Sequence, residues 1–292
     1  MYSQITSNKR KSILLMVIFI AIILLLGWIL SEVLDYGYGM LVFAIIFSLL
    51  MTLGSYYGGD KMALAVSGAK GPIKKGDNPY VYRMVENMAI TAGVPMPKVY
   101  IIDDPAPNAF ATGRDPKHAS VAVTAGIIER LENEELEGVI AHELSHVKNY
   151  DIRVMTIVVV LVGIISILAQ WFFRINLFGG RSRDNRGGGL IVIIGVLAII
   201  ISPIVAELIK LSISRKREYL ADASGALLTR YPEGLVKALE KISAYTAPMK
   251  SANSGTAHLF FSNPFGKKGM VSKLFSTHPP IEERIRALRA ML

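Results

Sequence analysis

Residues 142–146 have the sequence His-Glu-Leu-Ser-His, which matches the metal-binding pattern H-E-x-x-H, and they lie in a segment of helical periodicity, residues 135–150. Residues four apart on an α-helix lie about 40° apart around its axis, so His142 and His146 project from one face and can bind one metal ion. Glu143 lies one position further round, where its carboxylate can contact a water on that ion but is poorly placed as a ligand. The pattern predicts metal-assisted hydrolysis with Glu143 as the general base.

A hydrolytic metal site needs a third protein ligand, and the chain contains no cysteine to supply it. Residues 214–225 carry Glu218 and Asp222 at i and i+4 on one helical face. Glu218 would complete a His₂Glu set for one Zn²⁺ per chain, and Asp222 would accept the free N–H of a ligand histidine and fix its tautomer. The alternative is a surface helix on which Glu218 pairs with Arg215 or Lys216 and Asp222 is solvated, while the two histidines are unrelated.

The composition indicates a membrane protein. Of the 292 residues 52% are hydrophobic, and the mean hydropathy is +0.41, which is too apolar for an ordinary soluble protein of this length. Four apolar windows are long enough to cross a bilayer as helices: residues 13–30, 40–57, 154–173 and 190–206. The first two contain no charged residue. The sequence therefore predicts a helical membrane protein with four spans.

The distribution of basic residues predicts how the chain is oriented. Basic residues flank the outer ends of the first two windows, whereas the turn between them has acidic residues and no base: Lys9, Arg10 and Lys11 before, Lys61, Lys70, Lys74 and Lys75 after, Glu32 and Asp35 between. By the positive-inside rule, the N-terminus and the protein after Tyr57 face the cytoplasm. The net charge of +9 is explained by this orientation, and we expect no nucleic-acid partner.

The windows divide the chain into four parts. We expect residues 1–57 to form an N-terminal transmembrane hairpin and residues 58–153 to form the first part of a cytoplasmic domain that contains the H-E-x-x-H helix. We expect residues 154–213 to form a second hairpin and residues 214–292 to complete the cytoplasmic domain with the helix of Glu218 and Asp222. Because the loop at 174–189 contains four arginines, partial insertion of the second hairpin stays open beside full crossing.

The two cytoplasmic parts are predicted to be mainly α with a small β-sheet. The periodicity predicts a helix at 78–94, strands at 97–103 and 120–126, and helices near 216–230, 233–244 and 281–291. We expect the helix that carries His146 to continue into the third window without a break. The fourth window would then bring Glu218 back to the histidine pair.

Four segments resemble one known family: "AHELSHVKNYD" (141–151), "REYLAD" (217–222), "NAFATG" (108–113) and "THPPIEERI" (277–285). Together with the four-span layout they are similar to the HtpX-type membrane metalloproteases, bacterial relatives of the CAAX prenyl endopeptidases within the gluzincins. The resemblance implies a zinc endopeptidase of the bacterial cytoplasmic (inner) membrane with its active site facing the cytoplasm. It also implies a role in quality control and stress, with misfolded or damaged membrane proteins as substrates.

The resemblance also implies roles for single residues. The zinc ligands would be His142, His146 and Glu218, with Glu143 as the catalytic acid/base. An edge strand that pairs with an extended substrate would contain Asn108, Ala109, Phe110 and Ala111, while His278 and Arg284 would contact the substrate or the transition state. Without the resemblance, "NAFATG" indicates a plain sheet strand at least as well, and His278 an ordinary loop histidine.

Two other functions use some of the same features. A prenyl-protein processing peptidase shares the chemistry but encloses its zinc in a large intramembrane chamber, which four spans are too few to build. A non-catalytic membrane scaffold that uses zinc only for folding needs no general base, and Glu143 argues against it. The sequence indicates no particular oligomeric state.

Overall fold

The computed structural model describes residues 2–34, 37–178, 214–253, 255–266 and 279–291, which form a mainly helical protein with a small mixed sheet. The helices are α1 (Tyr2–Leu34), α2 (Tyr38–Val66), α3 (Pro79–Ala92), α4 (Ala125–Arg130), α5 (Asn133–Lys148), α6 (Asp151–Phe178), α7 (Arg215–Thr229), α8 (Pro232–Ala244) and α9 (Ile281–Arg289). The strands are β1 (Ala69–Lys70), β2 (Lys98–Ile102), β3 (Ala109–Gly113) and β4 (Ala119–Thr124). The strands and soluble-domain helices predicted from the sequence are confirmed, with small shifts at their ends.

Helices α1 and α2 form a hairpin of strongly apolar sequence. Within the described residues, two segments are long and apolar enough to cross a membrane, Ser3–Ile29 and Tyr38–Val66. Many of their large apolar side chains point outward, as expected of a surface in contact with lipid: Ile13, Leu14, Val17, Val42, Phe43, Leu50 and Leu53 are all exposed. The second helix runs past Tyr57 to Val66, so residues 58–66 extend this hairpin.

Helix α6 packs against the hairpin through a buried apolar cluster that includes Leu15 and Phe19 of α1 and Val154, Val158 and Leu161 of α6. The third apolar window lies within α6, whereas the fourth window, residues 190–206, lies outside the described residues. The three helices bury one another's apolar faces and join the hairpin to the residues that follow it.

The prediction of a continuous helix from His146 into the third window was wrong. Helix α5 ends at Lys148, and α6 begins at Asp151 after a break of two residues. Tyr150 has φ 61, in the left-handed region that a residue with a bulky side chain rarely adopts. Two cations contact its ring, with Lys9 Nζ 4.7 Å and the Arg153 guanidinium 5.0 Å from the ring centroid, and these contacts help to hold the strained turn.

The sheet has the strand order β1-β2-β4-β3 in the described residues, with β2 and β4 parallel and the other pairs antiparallel. Its two faces are both covered. Ala109 and Ala111 lie in the core with α3 and α5, whereas Phe110 and Ala122 lie in a second cluster with the end of α2 and the start of α6. This explains why β3 and β4 are buried along their full length, and β3 forms one edge of the described sheet.

Two glycines allow helices α7 and α8 to approach α5 closely. A Cβ added at Gly225 of α7 would lie 3.1 Å from the backbone nitrogen of His142 on α5. A Cβ added at Gly138 of α5 would lie 3.1 Å from the backbone of Leu235 on α8. Because these positions lack side chains, α7 and α8 pack directly on the helix that carries the histidines.

The packing of α2 on α6 gives a prediction at Gly59. A Cβ added there would lie 2.8 Å from Thr156 Cγ2, and the Thr156 hydroxyl is fixed by contacts to Thr112 Oγ1 (2.7 Å) and the Gly113 N–H (3.1 Å). We expect Gly59→Ala to lower the stability of the detergent-solubilised chain by about 1–3 kcal/mol, measured by chemical denaturation. The neighbouring Gly58 faces open space, so Gly58→Ala is the matched control and should not destabilise. Equal stability of the two variants would contradict this account of the packing.

Candidate active site

Helix α5 presents the two predicted ligand histidines from inside the protein. Glu132 and Glu135 form a capping box at its N-terminus, and its apolar residues Leu136, Val139, Ile140, Leu144 and Val147 are buried in the core. The remaining face carries His142, Glu143 and His146, which are also buried. A helix with polar residues buried this deeply needs partners for them, and α7 supplies the first.

Three metal-ligand atoms converge between α5 and α7. The Nε2 atoms of His142 and His146 lie 3.2 Å apart, and the Glu218 oxygens lie 3.8 Å from the first and 3.6 Å from the second. A tetrahedral zinc ion holds such ligands at about 2.0–2.2 Å, which places the ligand atoms about 3.3–3.6 Å apart. The predicted ligand atoms lie within 4.8 Å of one another, and the distances to the nearer Glu218 oxygen are close to those around one ion.

A carboxylate lies behind each histidine. His142 Nδ1 lies 2.9 Å from Asp222 Oδ1, and His146 Nδ1 lies 3.0 Å from Asp151 Oδ2. The His146–Asp151 contact is a hydrogen bond, whereas the His142–Asp222 contact is short but is not aligned as one. A carboxylate beside each Nδ1 favours the proton on that nitrogen and leaves an electron pair on Nε2. Two such electron pairs facing each other beside a third carboxylate are mutually repulsive, and a metal cation removes that repulsion. The residues present therefore fit a bound metal.

The pKa values of the two histidines shift in opposite directions. Burial lowers the pKa of His142 to about 4, although Asp222 opposes the shift. Burial also disfavours the charged form of His146, but the hydrogen bond to Asp151 and the charge of Glu218 outweigh it and raise the pKa to about 9.

Glu143 follows His142 on α5 and is buried within the same site. Its negative charge adds the smallest of the stated contributions to the raised pKa of His146 and of Arg284, after those of Asp151, Asp222 and Glu218. Its role as general base stays a prediction.

Arg284 lies behind Asp222. Its Nε and Nη2 donate to the two Asp222 oxygens at 2.8 and 2.7 Å, and its guanidinium lies 4.6 Å from the Phe261 ring centroid. Burial raises the pKa of Asp222, but Arg284 outweighs burial and lowers it to about 2, so the carboxylate stays charged beside His142. The predicted contact of Arg284 with substrate stays a prediction, and His278 lies outside the described residues.

The predicted substrate strand is partly occupied by the chain itself. The Asn108 side chain donates to the Ser262 carbonyl (2.9 Å) and accepts from the Ser262 N–H (3.1 Å), and the Phe261 N–H donates to the Ala109 carbonyl (2.8 Å). Phe110 points its ring toward Phe260, with centroids 5.0 Å apart. Residues 261–262 thus pair with the first part of the outer edge of β3.

Sequence reasoning missed Asp151, Asn8 and Arg217. Asp151 accepts from Asn8 Nδ2 at 2.7 Å, and Arg217 Nη1 donates to Asn8 Oδ1 at 3.2 Å. The acidic residue shortly after the second histidine was a usable signal for Asp151, but an unbroken helix would have directed it away from His146. Asn8 gave no signal, because it precedes the histidines by more than 130 residues.

Comparisons with known proteins place this geometry in a family. The model of peptidase family M48 matches residues 75–292. The Protease HtpX homolog of Caldanaerobacter subterraneus subsp. tengcongensis is 46% identical over 296 residues, covering 100% of this chain and 98% of the relative. That of Tropheryma whipplei (strain Twist) is 47% identical over 295 residues, with coverage of 100% and 98%. That of Dictyoglomus thermophilum is 45% identical over 291 residues, with coverage of 99% and 94%.

One solved structure is similar in fold. The crystal structure of S. mikatae Ste24p matches with a TM-score of 0.50 and 17% identity, covering 99% of this chain and 67% of that chain. At this identity the match supports the fold alone.

These features define a membrane-associated metalloprotease: a buried histidine pair on one helix, the converging Glu218, and two long apolar helices. The relatives named Protease HtpX homolog agree with this class. The chain belongs to peptidase family M48. The predicted resemblance to the HtpX type is confirmed by its relatives.

The Arg284–Asp222 pair gives a second prediction. Removing Arg284 would leave the Asp222 carboxylate buried without its cation, so Arg284→Met should destabilise the chain by about 3–5 kcal/mol in chemical denaturation. Arg289→Met is the matched control, because Arg289 on the same helix pairs with Glu240 at an exposed position. That loss should stay below about 1 kcal/mol. Similar losses in the two variants would show that the buried pair is not a stabilising contact.

Proposed function

We propose that this chain is a zinc-dependent endopeptidase of the bacterial cytoplasmic membrane that hydrolyses misfolded or damaged membrane proteins on the cytoplasmic side. The observation that carries the proposal is the convergence, within 3.2–3.8 Å, of Glu218 on α7 with His142 and His146 on α5, the helix that also bears Glu143. Two imidazoles and one carboxylate are a typical ligand set of catalytic zinc. The relatives named Protease HtpX homolog support the quality-control role.

In the proposed reaction His142, His146 and Glu218 hold the zinc ion, which when bound polarises the scissile carbonyl and lowers the pKa of a water at the site. Glu143 takes the proton from the attacking water and delivers it to the leaving amine. Asp222 and Asp151 hold the two imidazoles in the tautomer that the ion requires, and they keep the histidines oriented through the reaction.

Arg284 would have two roles in the reaction. It keeps Asp222 charged and fixed, which the two hydrogen bonds between them support. Together with His278 it would also stabilise the oxyanion that forms during attack, as the resemblance implies. Because Arg284 is fully buried, this second role requires that substrate binding open a path to its guanidinium.

The substrate would pair with β3 as an added strand. The Ala109 carbonyl and the Gly113 N–H both face the outer edge, since they bond to Phe261 and Thr156. Alternate residues of a strand direct their backbone groups to the same side, so the N–H and carbonyl of Ala111 also face that edge. We propose Ala111 as the backbone pairing site, beside the stretch that residues 261–262 already cover.

Glu143→Gln tests the general base. The amide cannot accept the proton but keeps the size of the side chain, so we expect unchanged zinc content and about a 10²–10⁴-fold loss of cleavage of an unfolded membrane protein in detergent. Glu137→Gln on the same helix is the control and should keep full activity. Substantial turnover by Glu143→Gln would remove Glu143 from the reaction, and absence of zinc-dependent cleavage by the unmodified chain would favour the scaffold alternative.

We also propose four spans with the protease domain inside the cell. The chain lacks cysteine, so single cysteines introduced at chosen positions can be labelled without background. A membrane-impermeant maleimide should label Tyr38→Cys in intact cells, because Tyr38 is the first residue of α2 and is 86% exposed. It should label Lys117→Cys, in an exposed loop beside β4, only after the cells are opened.

Asn185→Cys decides how the later hairpin is inserted. Labelling in intact cells is expected if both later windows cross fully, whereas protection until the cells are opened would show partial insertion. Labelling of Lys117→Cys in intact cells would reverse the proposed orientation.

A further inference from the structure

A buried amide from the N-terminal helix lies behind the metal-ligand residues. Asn8 lies on α1, just before the apolar window that starts at Ile13, and its side chain is only 1% exposed. A buried amide in a helix otherwise rich in apolar residues requires hydrogen-bond partners. The partners it has all belong to the surroundings of the two ligand helices, far away in sequence.

The amide of Asn8 uses both of its ends. Nδ2 donates to Asp151 Oδ1 at 2.7 Å and to the Asn149 carbonyl at 2.9 Å. Oδ1 accepts from Arg217 Nη1 at 3.2 Å. One side chain thus ties the break between α5 and α6 to the first turn of α7.

These partners stand directly next to the ligands. The second oxygen of Asp151 lies 3.0 Å from His146 Nδ1, so the donation from Asn8 fixes the rotation of the carboxylate that orients this imidazole. Arg217 precedes Glu218 on α7 and also lies 3.5 Å from Asp151 Oδ1. Asn8 is therefore linked to both ligand helices. It contacts Asp151, which orients His146 of α5, and it contacts Arg217, which precedes Glu218 on α7.

The Asp151 carboxylate is buried and needs donors to stay charged and fixed. It begins α6 directly after Tyr150, whose left-handed backbone is held by side-chain contacts, one of them from Lys9 on α1. Without α1, this turn would lose the ring contact from Lys9, and Asp151 would lose its 2.7 Å donor.

We propose that Asn8 is a positioning residue of the metal site, acting through Asp151 on His146 and through Arg217 on Glu218. The N-terminal helix is then a structural part of the active centre as well as a membrane anchor. This inference rests on the proposed metal site, and it predicts that changes at Asn8 alter metal affinity without touching any ligand.

The test measures Zn²⁺ affinity of the full-length chain in detergent, by competition with a chelating dye, and the rise in Tm on addition of Zn²⁺. Asn8→Leu removes all three hydrogen bonds at similar volume. Asn8→Asp keeps the shape but turns the donor toward Asp151 into an acceptor. Ser12→Ala is the matched control, because Ser12 is equally buried one turn later and its hydroxyl donates within the helix to the Asn8 carbonyl at 2.9 Å.

We expect both Asn8 variants to bind Zn²⁺ about tenfold more weakly and to show a smaller rise in Tm, while Ser12→Ala matches the unmodified chain. The Asn8 variants could instead have a lower Tm than the unmodified chain in the absence of Zn²⁺ and a Zn²⁺ affinity within about twofold of it. That result would assign Asn8 a purely structural role and overturn the proposal. Failure of both variants to fold would overturn it in the same way.

His146→Ala separates this proposal from the metal site itself. If the unmodified chain binds Zn²⁺ no more tightly than His146→Ala, the proposed metal site fails. If the unmodified chain binds more tightly and the Asn8 variants equal it, only the role of Asn8 fails.

Discussion

The site depends on keeping three electron-pair donors together in a place from which water is excluded. Two imidazole nitrogens and a carboxylate within 3.2–3.8 Å repel one another unless a cation lies between them. The protein maintains this arrangement by alternating charge outward from the centre. Carboxylates lie behind both histidines, and the cations Arg284 and Arg217 lie behind those carboxylates. Each layer stabilises the one inside it, so the cost of burying charge is spread over paired groups.

The fold builds this alternation from segments that the chain separates widely. In sequence, the ligand helices α5 and α7 are separated by α6 and the residues that follow it. In the structure they are neighbours, because Gly225 lets α7 pack against the backbone at His142. The break at Tyr150 matters equally, because a straight helix would carry Asp151 away from His146 along the axis. The break turns the start of α6 back toward the site before the helix enters the apolar cluster with α1 and α2.

The parts of this centre that local spacing determines could be predicted from sequence. His142 and His146 share a helical face, Glu218 and Asp222 share another, and the short β-branched strands lie within a few residues of their predicted ends. The remaining contacts join distant segments. The pairing of Arg284 with Asp222 depends on how α9 crosses α7. The contact of Asp151 with His146 depends on the left-handed backbone of Tyr150, a conformation that the sequence would indicate only if a glycine stood there. Periodicity carries no information on either, since it reports faces of single elements.

The contacts of α1 change how the relation between membrane and catalysis is understood. The match to the M48 family model starts at residue 75 of this chain, after the hairpin. Taken alone, that match suggests a protease domain that the hairpin merely anchors. The structure instead buries Val154 and Val158 of α6 against the hairpin and places Asn8 of α1 on Asp151. A domain without the hairpin would expose that apolar surface and lose one donor to the carboxylate behind His146. The hairpin is therefore continuous with the core of the site, and membrane insertion and metal-site geometry share the same helix.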